Sequence, residues 1–302
     1  MNEHLAQQII REHAFALVDA AMVEHLPDGM HAVPLVPRRL ASSAHLMPKL
    51  IDLRSTRDDH LSILSKCVRD ACLNAQWPPV SLLVRTPVGA PEFARYWNSM
   101  QLASPEPKCH SWLRLHDPRV LHQLLRVLTT RQRRYWFGRS ESVTYWVGGE
   151  WVTVLRDSDH PLEPRDVGHT AVPPHVGPAK WDWSRIETIG IVNRVLHGAG
   201  VQTAAALASQ GELAEQLIER ARAKHGLVEQ ADLVEFAVRG LMTNAMFDAH
   251  PVVARAIRPD TMAGEESSLS DRFALIEEQV WSALRQPDNA IRNACHDATE
   301  TM

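Results

Sequence analysis

Apolar and polar positions change rhythm along this chain, most sharply in residues 111–137, SWLRLHDPRVLHQLLRVLTTRQRRYWF. Over 111–116 they alternate, with Trp112, Arg114 and His116 on one side and Leu113 and Leu115 on the other, which predicts a strand. Asp117 then occupies a helix N-cap position and Pro118 the first helical position. From there Val120, Leu121, Leu124, Leu125 and Leu128 follow helical spacing. Arg126, Arg131, Arg133 and Arg134 crowd the far end, where cations suit the helix dipole. The pattern predicts a strand feeding a single capped amphipathic helix with a basic, aromatic tip.

The same reading places the other elements. Residues 1–12 form an amphipathic helix, and the unbroken apolar run Phe15-Ala16-Leu17-Val18 fits a strand covered on both faces. Asp19 follows it, either capping nearby backbone amides or acting in catalysis, with capping preferred. Pro27-Asp28-Gly29 is a turn, and 33–36, broken by Pro34, is at most an edge segment. Residues 57–76 read as a helix capped by Asp58 or Asp59, with Leu61, Leu64, Val68 and Cys72 in one stripe and Pro78-Pro79 ending it. Strand 80–84 and helix 91–100 follow, the latter with Phe93 and Trp97 four apart. Residues 143–147 and 150–155 form a hairpin around Gly148-Gly149. Residues 157–183 lack a period and carry five prolines (Pro161, Pro164, Pro173, Pro174 and Pro178). Helices are expected over 183–197, 203–225, 231–247, 251–257 and 270–284, with Gly198, Gly200 and Gly226 as stops. The expected architecture is an α/β N-terminal lobe over 1–156 (a mixed sheet with flanking helices and a hairpin), a proline-rich linker over 157–183, and an all-α C-terminal lobe over 184–302.

Composition narrows the function classes. The 302 residues are 45% hydrophobic and 23% charged, with net charge −4, which disfavours a general nucleic-acid binder. No apolar run approaches the roughly 20 residues needed to cross a bilayer, and the N-terminus lacks a secretory pattern, so a cytoplasmic protein without a membrane partner is expected. Residues 114–139 nevertheless hold seven arginines against the single carboxylate Asp117. A solvated helix end, an acidic protein partner and nucleic acid are the three readings of that cluster. Cys67, Cys72, Cys109 and Cys295 show no CxxC pair and read as reduced thiols.

Motifs for nucleophilic catalysis, phosphate cradling or a zinc protease are absent from the sequence, and no cofactor is expected. Asp157, Asp159, His160, Asp166, His169 and His175 lie close in sequence, but without a familiar ligand spacing. Asp248 and His250 precede a proline-started helix and read as capping residues more readily than as a catalytic pair. Trp136, Trp146, Trp151, Trp181 and Trp183 crowd around the arginine-rich tip. Most read as core, and the remainder as a partner groove. The candidate partner-binding residues are Arg131, Arg134, Trp136, Phe137 and Trp146.

LRLHDPRVL, followed by QRRYWFG and a further tryptophan, resembles the hallmark of a bacterial family once known only as a domain of unknown function. Its members serve as adaptor chaperones for effectors of the type VI secretion system. Arg114, Asp117, Pro118 and Arg119 match that hallmark, and His116 stands where an aromatic is usual. FALVDAAM, with Asp19, resembles the family's first strand. HLMPKLIDL and the Phe247 to Pro251 stretch resemble further landmarks. The resemblance implies a non-enzymatic adaptor that binds the N-terminal part of a cognate secreted effector. It would load that effector onto the spike protein, which carries valine-glycine repeats, without being exported. An apolar effector segment would dock in a cleft between the lobes. A hydrolase-like or nucleotidyl-transfer enzyme using Asp19 and Asp117 is the rival from another class, and a nucleic-acid module using the 114–139 arginines is the third reading.

Overall fold

The computed structural model describes residues 3–74, 76–103, 111–156, 177–258 and 267–285. The chain forms two compact units, Met1–Ile186 and Glu187–Met302. In the first, helix α1 (Glu3–Arg11) precedes strand β1 (Phe15–Val18), whose four residues are all buried. Strands β2 (Val33–Pro34) and β3 (Lys49–Asp52), helix α2 (Asp58–Leu73) and strand β4 (Leu82–Arg85) follow. Helices α3 (Ala90–Gln101), α4 (Pro118–Val127) and α5 (Thr130–Phe137) lead to the hairpin of β5 (Ser142–Val147) and β6 (Glu150–Leu155). Gly148 and Gly149, at φ 62° and 80°, make the primed turn that the sequence predicts.

The strands form one sheet in the order β2-β3-β1-β4-β5-β6. Among the described residues every pairing is antiparallel, not mixed as expected. Strands β3 and β4 flank β1 and both run against it, so the α2 crossover joins two like-directed strands with β1 between them. Side-chain parity then sorts the layers. Ala16, Val18 and Leu83 turn to one face, where they pack with Ile10 of α1 and Leu61, Leu64 and Val68 of α2. Phe15 turns to the other and stacks on Phe93 of α3 at 4.8 Å. On that second face Tyr145 of β5 meets His122 of α4 at 3.1 Å. Helices on both faces explain why β1 needed an unbroken apolar run.

Two expectations around residue 117 are corrected. Residues 111–116 join no sheet; the Leu113 amide bonds the Gln101 carbonyl at the end of α3 and the Leu115 amide that of Leu113. Any extended segment alternates its side chains, so period two did not discriminate. The long helix is two helices. Leu128 turns extended (ψ 134°), and Thr129 starts α5 with a capping box to Gln132. At α2 the N-cap is Arg57, without a side-chain cap; Asp58 and Asp59 lie in the first turn, where they complement the dipole. Residues 177–186 close the first unit, with Trp181 and Trp183 stacked 6.4 Å apart and the Trp183 indole donating to the Pro178 carbonyl at 2.7 Å.

The second unit is helical: α6 (Trp183–Gly198), which begins within the first unit, α7 (Ala204–His225), α8 (Gln230–Met242), α9 (Pro251–Ile257), α10 (Leu269–Ala274) and α11 (Glu278–Leu284). Thr203 caps α7 and Gly226 ends it in the left-handed region. The helix expected over 231–247 stops at Met242, where the Thr243 hydroxyl bonds back to the Arg239 carbonyl at 2.6 Å. The helix expected over 270–284 is broken after Ala274, which lets Phe273 and Trp281 meet edge to face at 5.5 Å. Among the described residues no helix is long and apolar enough to cross a membrane.

Candidate functional site

Asp19 follows β1 directly and caps the 3-10 turn Ala20–His25, accepting the Ala21 amide at 2.9 Å. The capping expectation holds, and the carboxylate does more. Its second oxygen faces the His116 Nε2 at 3.3 Å and the Arg114 guanidinium at 3.7 Å. The hydrogen bond from His116 outweighs burial and holds the Asp19 carboxyl down at about 2. His116, 2% exposed, stacks on Trp112 with ring centroids 6.1 Å apart. The histidine that departs from the hallmark thus ties the end of β1 to the segment entering α4.

Asp117 caps α4 as expected, accepting the Arg119 amide at 3.0 Å. The same carboxylate clamps the Arg119 guanidinium through Nε at 3.0 Å and Nη2 at 2.8 Å. That bidentate bond, more than any other influence, pushes the Arg119 pKa up. The clamped guanidinium lies 5.6 Å over the ring of Trp77, which is 39% exposed. Asp19, Arg114, Asp117, Pro118, Arg119 and Trp77 together border a surface depression of about 310 Å³. The four hallmark residues and Asp19 of the first-strand motif come together there. Trp77 was missed, although an aromatic between a helix end and Pro78-Pro79 was visible in the sequence.

The candidate partner-binding aromatics lie elsewhere. Trp136 and Phe137 are 3% and 2% exposed, packed edge to face on each other at 5.2 Å, with Trp136 against Trp97 at 6.2 Å. Trp146 is also buried, edge to face with Trp151 at 5.6 Å. These three are interior side chains, which corrects their assignment as partner contacts. Arg131 is exposed and Arg134 partly buried. The seven-arginine stretch is less basic in space than in sequence, because Asp19 faces Arg114 and Glu92 takes Arg139 at 3.0 Å.

Asp248 is not a cap. Its carboxylate is fully buried and accepts from Lys224 at 2.7 Å, His225 at 2.9 Å and Arg220 at 3.4 Å. Burial opposes its ionisation, yet these donors hold its pKa below the usual carboxylate value. The basic end of α7 thus finds its partner more than 20 residues onward, which local spacing does not reveal. Cys67 and Cys72 are free thiols with raised pKa values, chiefly from burial. Cys109, Cys295 and the Asp157 to His175 cluster lie outside the described residues; among those described, no group of three or more His, Cys, Asp or Glu could hold a metal ion.

What the site can do follows from its chemistry. The Asp19 and Asp117 carboxylates are acceptors engaged by amides, guanidinium and imidazole. Above them stand an exposed indole and two half-exposed guanidinium groups. Residues 14–135, from just before β1 into α5, match the family model DUF4123, described as a domain of unknown function. No curated protein and no solved structure matches the chain.

Proposed function

We propose that this protein is an adaptor chaperone of a type VI secretion system. It holds the N-terminal region of a cognate toxic effector in the cytoplasm and hands it to the spike protein that carries valine-glycine repeats. The reading starts from the resemblance of the LRLHDPRVL and FALVDAAM stretches to that adaptor family. The observation that carries it is the Arg119–Trp77 stack held by Asp117 beside Arg114. Trp and Arg dominate binding hot spots because each combines a large desolvated area with directed polar groups. Here Arg119 is already held by the Asp117 cap of α4, so little of its freedom is lost on docking. Arg131 and Arg134 supply further positive charge, suited to an acidic rim on the effector and to faster encounter.

The test is a titration against the N-terminal region of a toxin encoded by an adjacent gene. Trp77→Ala and Arg119→Ala are each expected to weaken the complex about tenfold or more, the scale of a hot-spot truncation. Wild-type affinity in the double variant, or no complex with the toxin at all, would overturn the reading.

A further inference from the structure

The two edges of the sheet are treated differently. Strand β2 has two residues, one of them Pro34, which blunts it. Strand β6 is longer and offers WVTVL over residues 151–155, without a proline or a charge, a pattern that exposed edges ordinarily avoid. The Arg156 amide donates to the Glu141 carbonyl at 2.8 Å, and the β5–β6 register keeps that phase. Val154, Val152 and Glu150 therefore face β5 through their backbone groups. Trp151, Thr153 and Leu155 point their amides and carbonyls away from the sheet, and among the described residues no strand pairs with that side.

The strand carries its own complement. Residues 150–156 read EWVTVLR, and their polarity is palindromic about Thr153. An antiparallel copy centred there sets Thr153 against Thr153, Trp151 against Leu155 and Val152 against Val154. Its hydrogen-bond phase also agrees, because the three outward-facing residues meet only one another. A slip of one residue sets outward groups against groups already spent on β5. A slip of two restores the phase but sets Thr153 against Leu155 or Trp151.

The side chains support the centred register. Trp151, Thr153 and Leu155 stand on the α1 face, opposite Trp146, Thr144 and Ser142, an orientation fixed by the 3.0 Å contact between the Thr144 and Thr153 hydroxyls. Leu155 is 69% exposed, and the second copy's Trp151 falls beside it as a cross-strand aromatic–aliphatic pair. On the other face the half-buried Val152 and Val154 meet across the join. At its ends Glu150 falls opposite the second copy's Arg156, so no like charges face each other. An unrelated extended segment also satisfies the main-chain groups, but nothing in the described residues selects its side chains.

We propose that β6 pairs with β6 of a second copy of this chain, antiparallel about a two-fold axis through Thr153. The two six-stranded sheets then run on as one. The contact is isologous and uses the long open edge of each copy, while β2 is blunted, so it closes as a dimer and does not propagate. It stands whether or not the Trp77–Arg119 stack meets a secreted effector.

The test is sedimentation of the full chain across a concentration series. A species of twice the 33.9 kDa chain is expected. Thr153→Pro removes an outward amide at the centre of the join and should raise the dimer dissociation constant about tenfold or more, the worth of one or two hydrogen bonds. Circular dichroism checks that this variant keeps its fold; Leu155→Lys, which sets a charge against the second copy's Trp151, is the second variant should it not. Cysteines read the register under mild oxidation, with the wild-type chain as the background. Thr153→Cys should cross-link copy to copy, because paired Cα atoms lie about 5.5 Å apart. Leu155→Cys should not, because its copies lie about 13 Å apart along the strands. A monomer at every concentration, a dimer indifferent to Thr153→Pro and Leu155→Lys, or cross-linking at 155 and not at 153 would overturn the proposal. A monomer whose binding of the adjacent-gene toxin is lost in Thr153→Pro would give the edge to a foreign strand, which overturns the proposal and leaves the adaptor reading in place.

Discussion

Asp19 and His13 make the first unit sensitive to acid in two separate windows. His13 is buried, its Nδ1 2.6 Å from the Ile9 carbonyl and its Nε2 2.9 Å from the Thr144 hydroxyl. Burial, the largest influence, lowers its pKa from 6.5. The unfolded chain therefore takes up a proton that the folded one resists, and stability is lost as pH falls below about 6.5. Asp19 acts lower. Its folded value of about 2 lies beneath the ordinary 3.8, so its contribution is complete above about 4 and disappears as pH falls through about 2. Denaturant titrations across pH should show both declines. His13→Gln should flatten the upper one and Asp19→Asn the lower; a variant that keeps its parent's profile would contradict the assignment. Asp117→Ala should cost about 0.5–2 kcal/mol in the same assay, the usual cost of an N-cap. It should also free Arg119 from its clamp over Trp77.

The turn between α5 and β5 shows how one element is pinned to another. Gly138 sits at φ 55°, and a Cβ there would come within 2.6 Å of the Tyr96 ring. The Tyr96 hydroxyl donates to the carbonyls of Tyr135 and Trp136, locking α3 to the end of α5. Gly138→Ala should therefore destabilise by about 1–3 kcal/mol from backbone strain alone, with the clash added, measurable as a lowered thermal midpoint. Elements with a local cause were legible in the sequence: the Phe15–Val18 run, the Gly148-Gly149 turn, the Asp117-Pro118 start and the Gly226 stop. Breaks within long periodic stretches were not. Thr129 and Gln132 carry a capping-box pattern, yet apolar spacing continues through it. The Asp248 cluster and the burial of Trp136 and Phe137 depend on which distant elements meet, and local spacing does not encode that.

In the whole molecule, the first unit carries the surface argued to meet a partner, the Trp77–Arg119 stack. The family match covers the stack but ends before the hairpin. The hallmark was legible because capping and ion pairing place its residues close in sequence. The central claim is that this surface grips another polypeptide and that the Asp19–Asp117 cluster makes no bonds of its own. Co-expression with the product of each adjacent gene tests it most directly, read as the soluble fraction of that product and its co-elution with this protein. The expected result is one toxin that stays soluble only with this protein and elutes with it in fixed ratio, less so with Trp77→Ala. No change in solubility for any neighbour, together with a turnover that Asp19→Asn abolishes in a folded protein, would contradict it.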